Sequence, residues 1–161
     1  MALPTEPDLG PAREEVEGLM SDQCRIWRDR RGDADEIIDP VTLKLVRPPD
    51  NDDVVYDTSS TGHGGRPLEG KCRIRIRAET DPHVVTLGGQ QTGPRLYELF
   101  VPWDAPVASR GNLVVITYSL RDDTLVDQSY RIADVIRTSL LVHRKYILRD
   151  FVTLDAGASQ P

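Results

Sequence analysis

A chain of 161 residues with 39% hydrophobic side chains and a mean hydropathy of −0.40 is long enough to bury roughly 70% of its unfolded surface in one core, and it offers no apolar run suited to spanning a bilayer. Its net charge of −6 is lopsided: residues 1–65 hold 7 basic and 15 acidic side chains, residues 66–161 hold 13 and 11. General affinity for nucleic acid needs the opposite balance, because Lys and Arg must displace the counterions condensed on phosphate.

Taken in chain order, residues 1–10 are Pro-rich and polar and are expected to form a flexible arm. Glu6 and Asp8 stand where a secretory leader would carry basic and apolar regions, so none is expected. Pro11 opens a helix predicted over Ala12 to Met20, with Val16, Leu19 and Met20 as an apolar stripe and Glu14, Glu15 and Glu17 near its positive end. Such a helix either docks a partner or covers one end of the body. A strand is predicted around Asp22 to Arg28, followed by the polar run Asp29 to Glu36, a turn at Asp39-Pro40 and a strand around Thr42 to Arg47. Pro48 to Pro67 gathers Pro48-Pro49, Asp50, Asn51, Asp52, Asp53, Asp57 and Thr61-Gly62-His63-Gly64-Gly65, broken only by Val54, Val55 and Tyr56. It reads as a long mobile loop inserted in the domain.

Cys24 and Cys72 sit in matching settings, Gln23-Cys24-Arg25-Ile26 and Lys71-Cys72-Arg73-Ile74. In a strand, Cys and Ile two apart share one face while Arg points away, so both segments are predicted to contribute to one wall. Two buried thiols are expected rather than a disulfide.

From residue 95 to 152, four apolar runs follow at short spacing: Leu96 to Val101 before Pro102, Leu113 to Leu120 after Gly111-Asn112, Val126 to Val135, and Ser139 to Val152. This is the rhythm of a β-meander, and strands joined by tight turns curl into a small barrel or sandwich. The predicted fold is therefore mainly all-β: a small antiparallel β-barrel or sandwich over residues 11–152, with a short N-terminal helix, the insert at 48–67 and a flexible tail at 153–161. Leu113, Val115, Ile132, Val135 and Ile147 are expected to face inward.

Catalytic patterns fail one by one. His63-Gly64-Gly65 resembles an oxyanion loop, but no G-x-S-x-G elbow supplies a nucleophile. His63, His83 and His143 show no metal-ligand spacing with one another or with the cysteines. Gly88-Gly89-Gln90-Gln91-Thr92-Gly93 lacks the Lys and the helix of a phosphate cradle and is read as a hairpin connection. No enzymatic activity, metal or cofactor is expected. A nucleic-acid-binding barrel of the OB type would need aromatics beside a basic groove, for which Trp27 between Arg25 and Arg28, and Tyr97 near Arg95, are the candidates.

The order of these motifs carries a resemblance. An amphipathic helix, Met20-Ser21-Asp22-Gln23-Cys24-Arg25-Ile26, Asp39-Pro40-Val41-Thr42 and Leu68-Glu69-Gly70-Lys71-Cys72-Arg73-Ile74 resemble the head-completion, or stopper, proteins of long-tailed actinobacteriophages. Phe100-Val101-Pro102 before Gly111-Asn112-Leu113-Val114-Val115-Ile116 is similar to that family's G-D-x-V-x-I pattern, with Asn112 in place of the acid, and Val126 to Val135 with Ser139 to Asp150 resembles its closing strands. The likeness spans residues 12–152 apart from the insert. It implies a virion protein assembled in the host cytoplasm: a β-barrel subunit of a ring, expected to be dodecameric, in the neck between a head-tail adaptor and the tail terminator or tail tube. Such a ring closes the filled head, retains DNA, offers a platform to the tail and passes double-stranded DNA at ejection without binding it. A tail terminator or other tail-completion protein is the neighbouring alternative. Within a ring, copies of the 48–67 insert would converge, which makes Asp50, Asp52, Asp53, Asp57 and His63 the candidate gate or docking residues; an outward excursion without a role is the other reading.

Overall fold

A computed structural model of the chain describes residues 8–28, 41, 53–77, 86–87, 90–91, 96–138 and 141–150. Strands β1 (Asp22–Trp27), β2 (Val54–Tyr56), β3 (Lys71–Ile76), β6 (Leu96–Pro102), β7 (Leu113–Tyr118), β8 (Ser129–Ile136) and β9 (His143–Asp150) make one sheet. The short β4 (Thr86–Leu87) and β5 (Gln90–Gln91) pair only with each other, at the position where a hairpin connection is expected. The main sheet runs β2-β1-β3-β6-β9-β8-β7, and β7 pairs back onto β1. Six antiparallel strands therefore close into a barrel, and β2 adds to its wall.

β1 makes the closure possible. One edge pairs along its length with β7, from Gln23 opposite Tyr118 to Trp27 opposite Leu113. The other edge is divided: Asp22 and Gln23 face Cys72 and Lys71 of β3, while Ile26 and Trp27 face Tyr56 and Val54 of β2. Asp22 staples this seam. Its buried carboxylate accepts from Ile74 N–H at 3.2 Å on β3, and from Ser119 Oγ at 2.9 Å and Leu120 N–H at 3.3 Å just after β7.

The barrel interior is filled by one side chain in two from each strand. Cys24 and Ile26, Cys72 and Ile74, Tyr97 and Leu99, Val114 and Ile116, Tyr130 and Ile132, and Tyr146 and Leu148 share one cluster, with the Tyr97 and Tyr130 rings edge to face at 5.0 Å. The shared-face reading of the two Cys-x-Ile pairs holds, and both cysteines are buried free thiols. Burial, then a hydrogen bond with Cys24, pushes the Cys72 thiol well above its ordinary pKa.

Several expectations need correction. Of the five residues expected to face inward, Ile132 lies in the interior cluster and Val135 packs against it, but Leu113, Val115 and Ile147 are buried without joining it. Leu113-Val114-Val115-Ile116 and Tyr146-Ile147-Leu148 are apolar at every position, so the sequence lacks the alternation that would reveal which half points inward. The helix α1 occupies Gly10–Gly18, not Ala12 to Met20. Leu19 and Met20 N–H close on Val16 and Glu17 carbonyls as the turn ends; Met20 then enters the core, while Leu19 is 52% exposed, so no apolar stripe forms. The larger correction concerns the insert. Residues 53–67 are folded onto the barrel: Val54–Tyr56 is a strand, Tyr56 is fully buried with its hydroxyl donating to Lys71 O at 2.8 Å, and Thr61 bridges Pro67. The strand expected at 42–47 and the remainder of the insert, 48–52, lie outside the described residues.

Candidate functional site

Of the expected gate residues, Asp53, Asp57 and His63 are described, and each has its own surroundings. Asp50 and Asp52 lie outside the described residues. Asp53 is buried at the start of β2, and its carbonyl accepts from Arg28 N–H at 2.9 Å. Asp57 closes the turn after β2, its Oδ1 accepting from Ser59 N–H at 2.8 Å and Ser59 Oγ at 2.6 Å. Burial alone would raise its pKa, but these hydrogen bonds hold it below the usual carboxylate value. His63 is exposed, its N–H donating to Asp104 Oδ2 at 2.9 Å and its ring 6.2 Å from that of Trp103.

What those loop residues border is an ionic clip that no sequence pattern announces. The Arg66 guanidinium donates through Nη1 to both Glu17 oxygens at 2.7 and 2.8 Å, and through Nη2 and Nε to Asp104 at 2.7 and 3.3 Å. Glu17 belongs to α1 and Asp104 to the turn after β6, so a single side chain ties helix to barrel. Asp104 has a side chain only 3% exposed. Its burial favours the neutral acid, yet hydrogen bonds from Arg66 and from His63 N–H outweigh that and keep its pKa low. Gly62 is required by this approach: a Cβ there would stand 2.1 Å from Asp104 Oδ2. A second contact backs the clip, with the Arg13 guanidinium 3.7 Å from the Trp103 ring centroid and its Nε donating to Leu141 O at 3.1 Å. Since α1 has no buried residue, its described attachment is polar and cation–π.

The barrel exterior carries a basic strip along β3, β6 and β9. By alternation Lys71, Arg73 and Arg75 face outward. Glu98 sits at the centre, buried, and pairs with Arg75 and with Lys145 Nζ, the latter at 2.6 Å. Burial pushes its pKa up, but the Lys145 and Arg75 hydrogen bonds prevail and leave it lowered. Phe100 lies under both cations and edge-on to His143 at 5.0 Å. Burial, then Lys145 and Arg75, depresses the His143 pKa. The aromatics proposed for base stacking are not available to a base: Trp27 is 4% exposed and Tyr97 points into the barrel. Among the described residues no three His, Cys, Asp or Glu side chains are grouped to hold a metal ion, and no helix is long and apolar enough to cross a membrane.

The chain belongs to a family of unknown function, DUF6093, whose model matches residues 12–149. No curated protein and no solved structure matches it.

Proposed function

We propose that this chain is a structural subunit of a tailed-phage neck, a head-to-tail stopper that assembles as a ring, closes the DNA-filled head and offers the tail its platform. The observation that supports it most is the closed antiparallel barrel, the architecture that the resemblance to head-completion proteins implies. A ring subunit needs a stiff body, and sheet closure supplies one while removing exposed strand edges that would pair promiscuously.

The role is mechanical, not catalytic. Duplex DNA carries one charge per roughly 1.7 Å, so a conduit must not present a continuous basic surface to it. A chain of net charge −6, with Arg75 and Lys145 engaged by Glu98, suits passage without capture. Burial of Trp27 and Tyr97 also weighs against the OB-type alternative, which depends on stacking. Partners under this reading are further copies of the chain, the adaptor on the head side and the terminator or tube on the tail side.

Quantitative mass spectrometry of purified particles tests it. Multiple copies per virion, together with DNA-leaking or tailless heads when the gene is silenced, are expected. A protein absent from virions, or present once per particle, overturns the proposal.

A further inference from the structure

A groove of about 580 Å3 lies between residues 107–110 and the β8–β9 hairpin. Its walls bring Arg110, Arg137 and Arg144 beside Val107, Ile136 and Leu141, and none of its described lining residues is acidic. Arg144 is engaged, its Nε donating to Ala105 O at 2.8 Å. Arg110 and Arg137 are exposed and carry no ion pair among the described residues. Val107 and Ile136, 64% and 37% exposed, give the rim an apolar character.

The other end of β8 has the opposite chemistry. Between β7 and β8, Asp122, Asp123 and Asp127 are exposed beside Tyr118 and Leu120, which are 48% and 65% exposed, and outweigh the one exposed cation of the turn, Arg121. This turn is held in shape. Asp122 Oδ1 accepts from Thr124 N–H at 3.0 Å, Asp123–Leu125 forms a 3₁₀ turn, and Asp127 N–H donates to Ile116 O at 2.9 Å. An eight-residue strand is roughly 25 Å long, so the acidic turn and the basic groove of one chain cannot meet.

We propose that they meet between copies: the acidic turn of one chain seats in the basic groove of the next, with Asp122 and Asp123 against Arg110 and Arg137 and Leu120 against Val107 and Ile136. The inference rests on the ring reading for its closure, because two different patches on one subunit make a head-to-tail contact that repeats until its rotation closes a ring. A second copy of this chain accounts for the site better than a polyphosphate does. Phosphate would satisfy the arginines but not the exposed Val107 and Ile136, nor would it explain why a complementary acidic and apolar knob stands on the same molecule. Charge pairs at such a rim fix register and exclude wrong partners.

Sedimentation velocity of the full chain over a concentration series at low salt is the test. The wild-type chain should self-associate. Asp122→Arg with Asp123→Arg, or Arg110→Glu with Arg137→Glu, should each raise the association midpoint at least about tenfold. The second pair should leave the thermal midpoint in place, since both side chains are exposed, whereas the first also loses the Asp122 cap on Thr124 N–H and should melt slightly lower while staying folded. Mixing the two variants, or combining the four substitutions in one chain, should restore association, because the reversed charges again face their opposites. A wild-type chain still monomeric at about 1 mM, reversals without effect, or folded variants that the combination does not rescue, overturn the contact. So does capture of a DNA duplex through Arg110 and Arg137 without self-association, which assigns the groove to phosphate. Copy number in purified particles judges the ring separately: a ring of many copies indifferent to these reversals stands, but is built through another surface.

Discussion

Replacing Arg66 by Met preserves side-chain length and removes the guanidinium that joins three segments. Glu17 and Asp104 together lose four hydrogen bonds of 2.7–3.3 Å. Asp104 then keeps the His63 N–H at 2.9 Å as an ion whose side chain is 3% exposed. Breaking a fully buried pair costs about 3–5 kcal/mol; here Arg66 is 39% exposed, so water compensates part of the loss, and the more open Glu17 contact contributes under about 1 kcal/mol. A destabilisation of about 2 kcal/mol follows. It should appear in urea unfolding as a lower midpoint at unchanged slope, and release of α1 should make the Arg13 bond an easier tryptic site. Combined with Asp104→Asn, the double-mutant cycle should give a coupling of about 1 kcal/mol or more. An Arg66→Met protein within about 0.5 kcal/mol of wild type, with α1 equally protected, would refute this account of how the helix is held.

Gly62→Ala should act through the same clip, since its Cβ would displace the Asp104 carboxylate, and its cost should be less than additive with Arg66→Met in urea titrations. Asp22→Ala should lower stability by about 3 kcal/mol, because hydrogen bonds to a charged group contribute about 1.5–3 kcal/mol each and the three at this seam include long ones; a loss under about 1 kcal/mol would mean that desolvation of the carboxylate cancels them. The folded pKa values of Asp104 and Glu98 are depressed, so their stabilisation is fully present above the unfolded values near 4 and is lost as pH falls through the lower folded ones. His143 is also depressed but is a base: the unfolded chain takes up its proton near pH 6.5, so stability falls as pH drops from there toward the folded value. Thermal midpoints in a pH series should show both steps, and His143→Gln should remove only the upper one.

How far the fold was legible depended on whether a residue's partners were near in sequence. The strands of the last third announced themselves because each apolar run ends in a turn signal within a few residues, and the Cys-x-Ile pairs because a strand repeats every two residues. The expected four-strand meander is, however, only β7–β8–β9, since β6 pairs with β3 and β9 and not with β7, a pairing set by barrel closure that no local turn signal encodes. Leu113, Val115 and Ile147 do not face the interior as expected, since their strands are apolar on both sides, which leaves the period without a phase. Tyr56 was lost inside an apparent loop for a different reason. A three-residue strand among glycines and aspartates has no periodicity of its own, and its burial is dictated by Ile26 and Trp27 of β1, some thirty residues earlier.

The candidate site was harder to read, because formal charge says nothing about where a charge is used. Arg66 meets partners 49 and 38 residues away, distances at which no helical or strand period operates. Counting acids gave the N-terminal portion its character, yet Asp22 and Asp53 are buried, Asp57 closes its own turn and Glu17 is committed to Arg66. Farther along, Glu98 and Asp104 are equally spent on cations. Among the described residues, exposed acids remain at Asp8, Glu14 and Glu15 around the helix and at Glu69, Asp122, Asp123, Asp127 and Asp134 farther along. Asp122, Asp123 and Asp127 share one turn at one end of β8, and Arg110 and Arg137, without an ion pair among the described residues, stand toward its other end. The asymmetry on which the proposed contact between copies rests is therefore the one along β8, and it comes from where folding gathers like charges in space, which a linear count of acids does not show.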